Sequence, residues 1–481
     1  MGSENRIQNS ISWSLFSEIS AKFVVPISNM ILARVLTPDA FGIVAVCNML
    51  VSFIDLITDA GFGKYLIQHD FENDIEMDKY ASVSFWTNLA ISTMMTTIIV
   101  VFRFPIARIL GHSDYGNIIA IASLQLVITS ISSIQTALFR RQFDFKKLFI
   151  ARLAVAFAPL LITVPLAFAL RSFWALIIGN LAGATVNAIV LTIFSKWRPK
   201  LFYNSAILKN MFSYSFWSLC EALANWTIFW VDTFIVGNLY SEYQLGLYKN
   251  STNMVQSIMG MISASMSPVL LSTLSRLKSN EKVYVKSFLN IQNLMLFLVM
   301  PMGVGLFLYR KTATLLLFGN QWSEAANIVG AWGLMMICSV IFYSFPAELY
   351  KSKGIPKLLF LFQILYLIVL IPVCYFAAKI GFWTMVYTRC ICVLWQTIVS
   401  VIFAKKIFGI KLNIYFSTFV HPTLATIYMC LISFVLSSFL RGTVGDVLAI
   451  LICFISYLSY LCVFSRNKIR DILCVIGSRR I

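Results

Sequence analysis

From Ile11 to Phe464 the chain is a succession of apolar stretches, each about 20 residues long and separated by short polar interruptions. A helix rising about 1.5 Å per residue needs about 20 such residues to cross the roughly 30 Å hydrocarbon core of a bilayer. Of the 481 residues 59% are apolar and 12% are charged, against about a quarter charged in an ordinary soluble domain. No soluble fold could hide that much apolar surface. The bilayer is therefore the solvent for most of the chain, and helices satisfy their own backbone hydrogen bonds there.

Hydropathy, broken at charged and turn-forming clusters, predicts an all-α polytopic membrane protein. About fourteen transmembrane helices are expected over 11–36, 41–63, 81–102, 115–138, 149–170, 172–195, 210–237, 245–273, 287–309, 326–349, 358–378, 381–404, 414–439 and 445–464. An even number puts both termini on one side. Of the 38 Lys and Arg residues, 26 fall in loops on that side, and eight (Arg34, Arg103, Arg108, Arg171, Arg310, Lys311, Lys379, Arg441) fall on the other. The excess of positive charge marks the cytoplasmic side, so both termini are expected there. The net charge of +18 is thus read as topology and not as a nucleic-acid surface. Residues 1–10 are polar and precede no cleavage or lipidation pattern, so the first span is expected to serve as its own insertion signal.

The chain also aligns with itself. A shift of 204 residues lays Trp13, Ser14 and Leu15 on Trp217, Ser218 and Leu219, and ARVLTPDAFGIV on GNLYSEYQLGLY with Gly42 on Gly246. A shift of 211 lays LFRRQFDFKKLF on LYKSKGIPKLLF. This predicts two six-helix lobes around a central cavity, residues 1–200 and 201–408, followed by two further spans and a basic cytoplasmic tail at 409–481. Repeats of six spans keep one orientation and are related by an axis along the membrane normal, the layout that alternating access uses.

Ionisable groups at bilayer depth cost at least about 2.5–3.5 kcal/mol, so they mark wet cavities, partners or function. The first span carries Glu18 and Lys22, four apart, and these form either a local ion pair or part of a cavity wall that Pro26 lets bend. Asp55 and Asp59 lie on one face of the second span. Either they repel, so that at least one exchanges protons, or Asp59 is simply solvated at the helix end. Glu221 and Asp232 lie in span 7, Arg152 opens span 5, Lys249 lies near the outer end of span 8 and Arg389 lies eight residues into span 12. Arg152 and Lys249 also admit snorkelling to the interface. Trp217, Trp226, Trp230 and Trp395 either stack on sugars or pack against lipid and core. The closest cysteines, Cys390 and Cys392, point to nearly opposite sides of a helix, and His69, His112 and His421 are far apart. Neither disulfides nor a metal site follow from these patterns, and no cofactor is expected.

LARVLTPDAFGIVAV (32–46), DAGFGKYLIQ (59–68), FWTNL (85–89), FRRQFDFKKL (139–148), SKWRPKL (195–201) and LGLYKNSTNMVQ (245–256) together resemble the polysaccharide transporter branch of the multidrug/oligosaccharidyl-lipid/polysaccharide exporter superfamily. That branch contains the O-antigen and related repeat-unit flippases of the Wzx type. The resemblance covers nearly the whole chain. It implies fourteen spans in two lobes, a cargo of undecaprenyl pyrophosphate carrying an oligosaccharide, and a place in the bacterial inner membrane, with polysaccharide polymerase and chain-length proteins as candidate partners. It does not identify functional residues one by one.

On this reading Lys22 and Arg389, with Lys249 and Arg152, are the expected cations for the diphosphate. Glu18, Asp55, Asp59, Glu221 and Asp232 are the expected carboxylates for a proton or sodium gradient. No nucleotide-binding loop of the form GxxxxGK[ST] is present, so ATP is not the expected energy source. A drug or cation antiporter of the same superfamily would line its cavity mainly with carboxylates. A membrane-embedded polysaccharide polymerase would need a large outer loop, whereas the longest polar interruptions are HDFENDIEMDK (69–79) and RLKSNEK (276–282), both on the cytoplasmic side. A lipid-linked peptidoglycan precursor differs only in its sugar.

Overall fold

The computed structural model describes residues 24–464 other than 60, 278, 279, 354, 355 and 411, and every regular element among them is helical. Twelve of these helices are long and apolar enough to cross a membrane, so the chain is a multi-pass membrane protein. The first predicted span is described as the shorter apolar helix Val24–Val35, α1. The eighth is the long helix Glu242–Arg276, in which Lys249, Asn250, Asn253 and Gln256 dilute the apolar content below that of the twelve.

The chain divides into two compact units, Met1–Asn250 and Ser251–Ile481. The first holds α1, α2 (Pro38–Asp59), α3 (Phe62–Gln68), α4 (Asp74–Val101), α5 (Arg103–Ile109), α6 (Gly116–Arg141), α7 (Phe145–Leu170), α8 (Trp174–Phe194), α9 (Ser205–Leu239) and the start of α10 (Glu242–Arg276). The second holds the rest of α10, then α11 (Glu281–Leu308), α12 (Arg310–Phe318), α13 (Asn320–Ser352), α14 (Pro356–Ile380), α15 (Phe382–Phe408), α16 (Leu412–Phe439) and α17 (Gly442–Phe464).

In the first unit α4 packs on α6, α6 on α8, and α7 on α8; in the second, α11 packs on α13, α13 on α15, and α14 on α15. These pairs correspond under the internal repeat. A finer match lies just after α4 and α11. Arg103 donates from Nε to Asn117 Oδ1 (3.0 Å) and from Nη1 to the Val100 carbonyl (3.0 Å). Arg310 does the same to Asn327 Oδ1 (3.1 Å) and the Phe307 carbonyl (3.2 Å). Each arginine covers a carbonyl that the end of a long helix leaves open and ties the short helix behind it, α5 or α12, to the next span.

The last two spans belong to the second unit. α16 packs on α11 and α17, and the buried Tyr457 donates to the Phe297 carbonyl at 2.8 Å. Two spans carry π-helical turns, Pro159–Thr163 in α7 and Val340–Ser344 in α13. Pro165 and Pro346 follow them, and each lacks the N–H that would bond the carbonyl four residues back, inside the π turn.

The structure moves several expected boundaries. The acidic segment 69–79 is not wholly a loop: α4 begins at Asp74, capped by Asn73, whose side chain accepts from the Glu76 N–H at 2.8 Å. α11 likewise begins at Glu281, capped by Asn280. Capping and the helix dipole favour acidic first turns, so the polarity that interrupts hydropathy here starts a helix that projects beyond the bilayer core.

Candidate functional site

Beyond its first turn helix α2 carries a polar stripe, in which Asn48, Ser52, Asp55 and Asp59 recur at spacings of four, three and four, the period of a single helix face. On its other side Gly42, Val46 and Met49 are buried. Each of three neighbouring helices offers the stripe a polar partner. Asn180 of α8 donates from Nδ2 to Asn48 Oδ1 at 3.1 Å. Trp226 of α9 donates from Nε1 to Ser52 Oγ at 3.0 Å. Thr129 of α6 donates to Asp55 Oδ1 at 2.9 Å. The polarity continues along α6, where Ser132 accepts from Asn187 at 3.4 Å and Ser133 accepts from Asn88 at 2.7 Å.

Asp55 and Asn180 are exposed, and Asn48, Ser52, Thr129 and Trp226 are half-buried. Asp55 lies one turn from the end of α2, and a carboxylate exposed there requires water or a polar guest beside it, since hydrocarbon would desolvate it. The two aspartates differ. Asp59, at the end of α2, takes the Gly63 N–H and lies near Lys64 and Arg140. Asp55 holds Thr129, and its second oxygen has no partner among the described residues.

Lys249 is 5% exposed. Its ammonium donates to the Phe229 carbonyl at 3.2 Å and sits 4.0 Å from the centroids of both the Phe229 and the Trp230 rings, a cation held against two π faces. Ring contacts extend from it through Trp230 and Trp226 to Phe53 on α2, with centroid separations of 6.5 and 4.8 Å. The hairpin of α9 and α10 thus brings the buried cation next to an aromatic row that reaches the polar stripe. Asp232, on the same hairpin, is buried; its oxygens accept from the Thr233 N–H at 2.7 Å and the Tyr248 hydroxyl at 2.9 Å. Asn250 accepts from Asn29 of α1 at 2.8 Å.

Arg389 lies elsewhere, inside the second unit. It is 4% exposed, donates to the Tyr366 hydroxyl at 2.8 Å and faces the Trp332 ring at 5.4 Å. Arg152 and Glu221 are half-buried in α7 and α9. Lys22 and Glu18 lie outside the described residues. Among the described residues no three His, Cys, Asp or Glu side chains gather as metal ligands. Sequence reading picked out Asp55 and Asp59 but passed over Asn48, Ser52, Thr129 and Asn180. The four-three-four spacing on α2 would have revealed the stripe; the partners on α6 and α8 have no signal in one dimension.

A polar, partly carboxylate face on an otherwise apolar helical scaffold is the kind of feature that membrane transporters carry. The chain matches the family described as polysaccharide biosynthesis protein over residues 31–327, and it belongs to that family. It is 25% identical over 337 residues to the succinoglycan biosynthesis transport protein ExoT of Rhizobium meliloti, covering 69% of this chain and 67% of that one. It is 19% identical over 342 residues to the lipopolysaccharide biosynthesis protein WzxC of Escherichia coli, again covering 69% and 67%. Among solved structures it is similar to the lipid II flippase MurJ in an inward closed conformation, with a TM-score of 0.79 at 15% identity over 95% of this chain and 100% of that one. A multidrug resistance transporter of the MATE family in its inward-facing conformation gives a TM-score of 0.63 at 11% identity, covering 82% and 98%. The fold is thus that of the MurJ and MATE transporters, and the chain is a transmembrane transporter of polysaccharide biosynthesis.

Proposed function

We propose that this protein flips an undecaprenyl-pyrophosphate-linked oligosaccharide from the cytoplasmic to the outer leaflet of the bacterial inner membrane. It does so by alternating access of two six-span lobes, with fourteen spans in all and both termini cytoplasmic. The observation that carries the reading is the stripe on α2 with its partners Asn180, Trp226 and Thr129. Amides, hydroxyls, a carboxylate and an indole are the groups that hydrogen-bond and stack on sugars, and they replace hydration that hydrocarbon cannot supply. Lys249, cradled by Phe229 and Trp230, supplies a cation for the diphosphate at one end of the aromatic row. Arg389, buried in the second unit against Tyr366 and Trp332, is the second candidate cation.

A second reading has one observation in its favour. The exposed charge on the stripe is the carboxylate of Asp55 and not a cation, as an antiporter for cationic compounds would have it. Both readings are tested in a strain lacking its own repeat-unit flippase, using wild type, Asp55→Asn, Asn180→Ala and Trp226→Phe at matched membrane levels. Sugar export predicts that wild type restores surface polysaccharide, that Asp55→Asn lowers it about tenfold or more, the scale of a lost hydrogen bond to a charged group, and that Asn180→Ala and Trp226→Phe lower it about fivefold, the scale of a neutral one. Failure of wild type with several repeat units, together with resistance to cationic compounds that Asp55→Asn abolishes, replaces this reading with the antiporter.

A further inference from the structure

The segment SKWRPKLFYN, residues 195–204, joins α8 to α9 without regular structure, yet it is fixed to the side of α4. The Lys200 N–H donates to Ser82 Oγ at 3.2 Å, its carbonyl accepts from Trp86 Nε1 at 2.8 Å, and its ammonium pairs with Asp78 at 2.8 Å. Thr87 donates to the Tyr203 hydroxyl at 3.3 Å. Trp197 packs on Phe85 with ring centroids 6.0 Å apart.

The level of this attachment can be worked out. α4 has 28 residues and so extends about 42 Å, some 12 Å more than the hydrocarbon core. Counting about 20 residues back from its far end at Val101 puts the cytoplasmic edge of the core near Ser82. The strap therefore crosses α4 in the interfacial plane, with Trp86 where membrane indoles collect. Leu201 is 94% exposed on the strap, a full apolar side chain with nothing of the protein against it. Lys196 and Lys209 are exposed and have no partner among the described residues. Arg198 is held by the Ser195 and Trp197 carbonyls through Nη1 at 2.5 and 2.9 Å, which leaves its Nε and Nη2 donors unused. The nearest acid on α4, Asp78, is taken by Lys200; Asp74 and Glu76 lie further out along α4, on the water side.

We propose that residues 195–204 form an interfacial anchor that binds anionic phospholipid headgroups of the cytoplasmic leaflet. Lys196, Arg198 and Lys209 contact the phosphates, and Leu201 enters the acyl boundary. A basic segment beside an apolar insert is how proteins hold to an anionic surface. The strap packs on the start of α4 and runs into α9, so the lipid contact ties the cytoplasmic ends of these two helices to the plane of the leaflet.

The full-length protein in nanodiscs is labelled with headgroup-photoactivatable phosphatidylglycerol or phosphatidylcholine, and adducts are mapped by peptide. Phosphatidylglycerol should label the strap peptides at least fivefold more than phosphatidylcholine. Lys196→Ser and Lys209→Ser should each lower that yield about fivefold, and Leu201→Asp should lower it as well, with labelling elsewhere on the chain unchanged as the control for folding. Equal labelling by the two lipids, or variants that label like wild type, overturns the proposal. So does displacement of the strap adducts by undecaprenyl pyrophosphate, which would make the strap a docking point for the cargo. None of these outcomes depends on the stripe of α2, so failure here leaves the transport reading untouched.

Discussion

Gly42 and Gly246, the residues that the 204-residue shift aligns, pack against each other's helix backbone. A Cβ on Gly42 would lie 2.1 Å from the carbonyl oxygen of Glu242, and one on Gly246 would lie 1.8 Å from that of Pro38. In each case the carbonyl belongs to the residue four before the partner glycine. The contact is therefore reciprocal, the geometry expected when two copies of one element meet about a twofold axis. The first turns of α2 and α10 approach so closely that no side chain fits between them.

Gly42→Ala and Gly246→Ala should each destabilise the protein by about 1–3 kcal/mol or more, because the clash is with backbone and no rotamer relieves it. Gly183→Ala in α8, where a Cβ would meet nothing within 4 Å, should be neutral or stabilising by up to about 1 kcal/mol. Thermal unfolding of the purified variants in detergent checks both. Equal melting temperatures for all three would mean that the close crossing is not maintained in solution.

Removing the hydroxyl from Tyr366 should cost about 1.5–3 kcal/mol, since a buried guanidinium loses the 2.8 Å hydrogen bond it makes there. Arg389→Lys should not restore wild-type stability: an ammonium lacks the planar fork that reaches Tyr366 while facing Trp332. Melting temperatures of Tyr366→Phe, Arg389→Lys and the double variant decide the matter. The double variant should lose less than the sum of the two single losses, because both remove the same contact.

Glu242, the first residue of α10, accepts from the Tyr115 hydroxyl at 2.7 Å and lies 3.2 Å from His112 Nδ1. The Tyr115 hydroxyl first, then its own backbone N–H, and after these His112, hold its carboxyl below the ordinary value of 4.5. A depressed carboxylate pKa contributes stability that is present above the unfolded value and lost as pH falls through the lower native one. Wild type should therefore lose melting temperature on acidification below about 4.5, and Glu242→Gln should lose less over the same window. Identical pH profiles for the two would remove Glu242 from the acid response.

Much of this was legible in one dimension. The described spans fall where apolar stretches of about 20 residues lie, because backbone in hydrocarbon has no alternative to the helix. Twelve qualify by length and composition, while the polar α10 and the short described part of α1 do not. α4 starts at Asp74, seven residues before the span expected over 81–102, because hydropathy registers where the membrane begins and not where the helix does. The short helices α5 and α12 were passed over because seven and nine residues are too few to show a period.

For the site, sequence could say which ionisable groups sit at depth but not what faces them. Asp55 and Arg389 look alike in the chain, charges within apolar runs, yet Asp55 is exposed beside Thr129 and Arg389 is 4% exposed against Tyr366 and Trp332. Apolar length and charge bias are properties of consecutive residues, so they suffice to show that the chain spans a membrane, where its spans lie and which side their loops are expected to occupy. Whether a given face of a helix is covered by a neighbour or left open to water depends on groups tens to more than a hundred residues away, and the packing of the helices settles it.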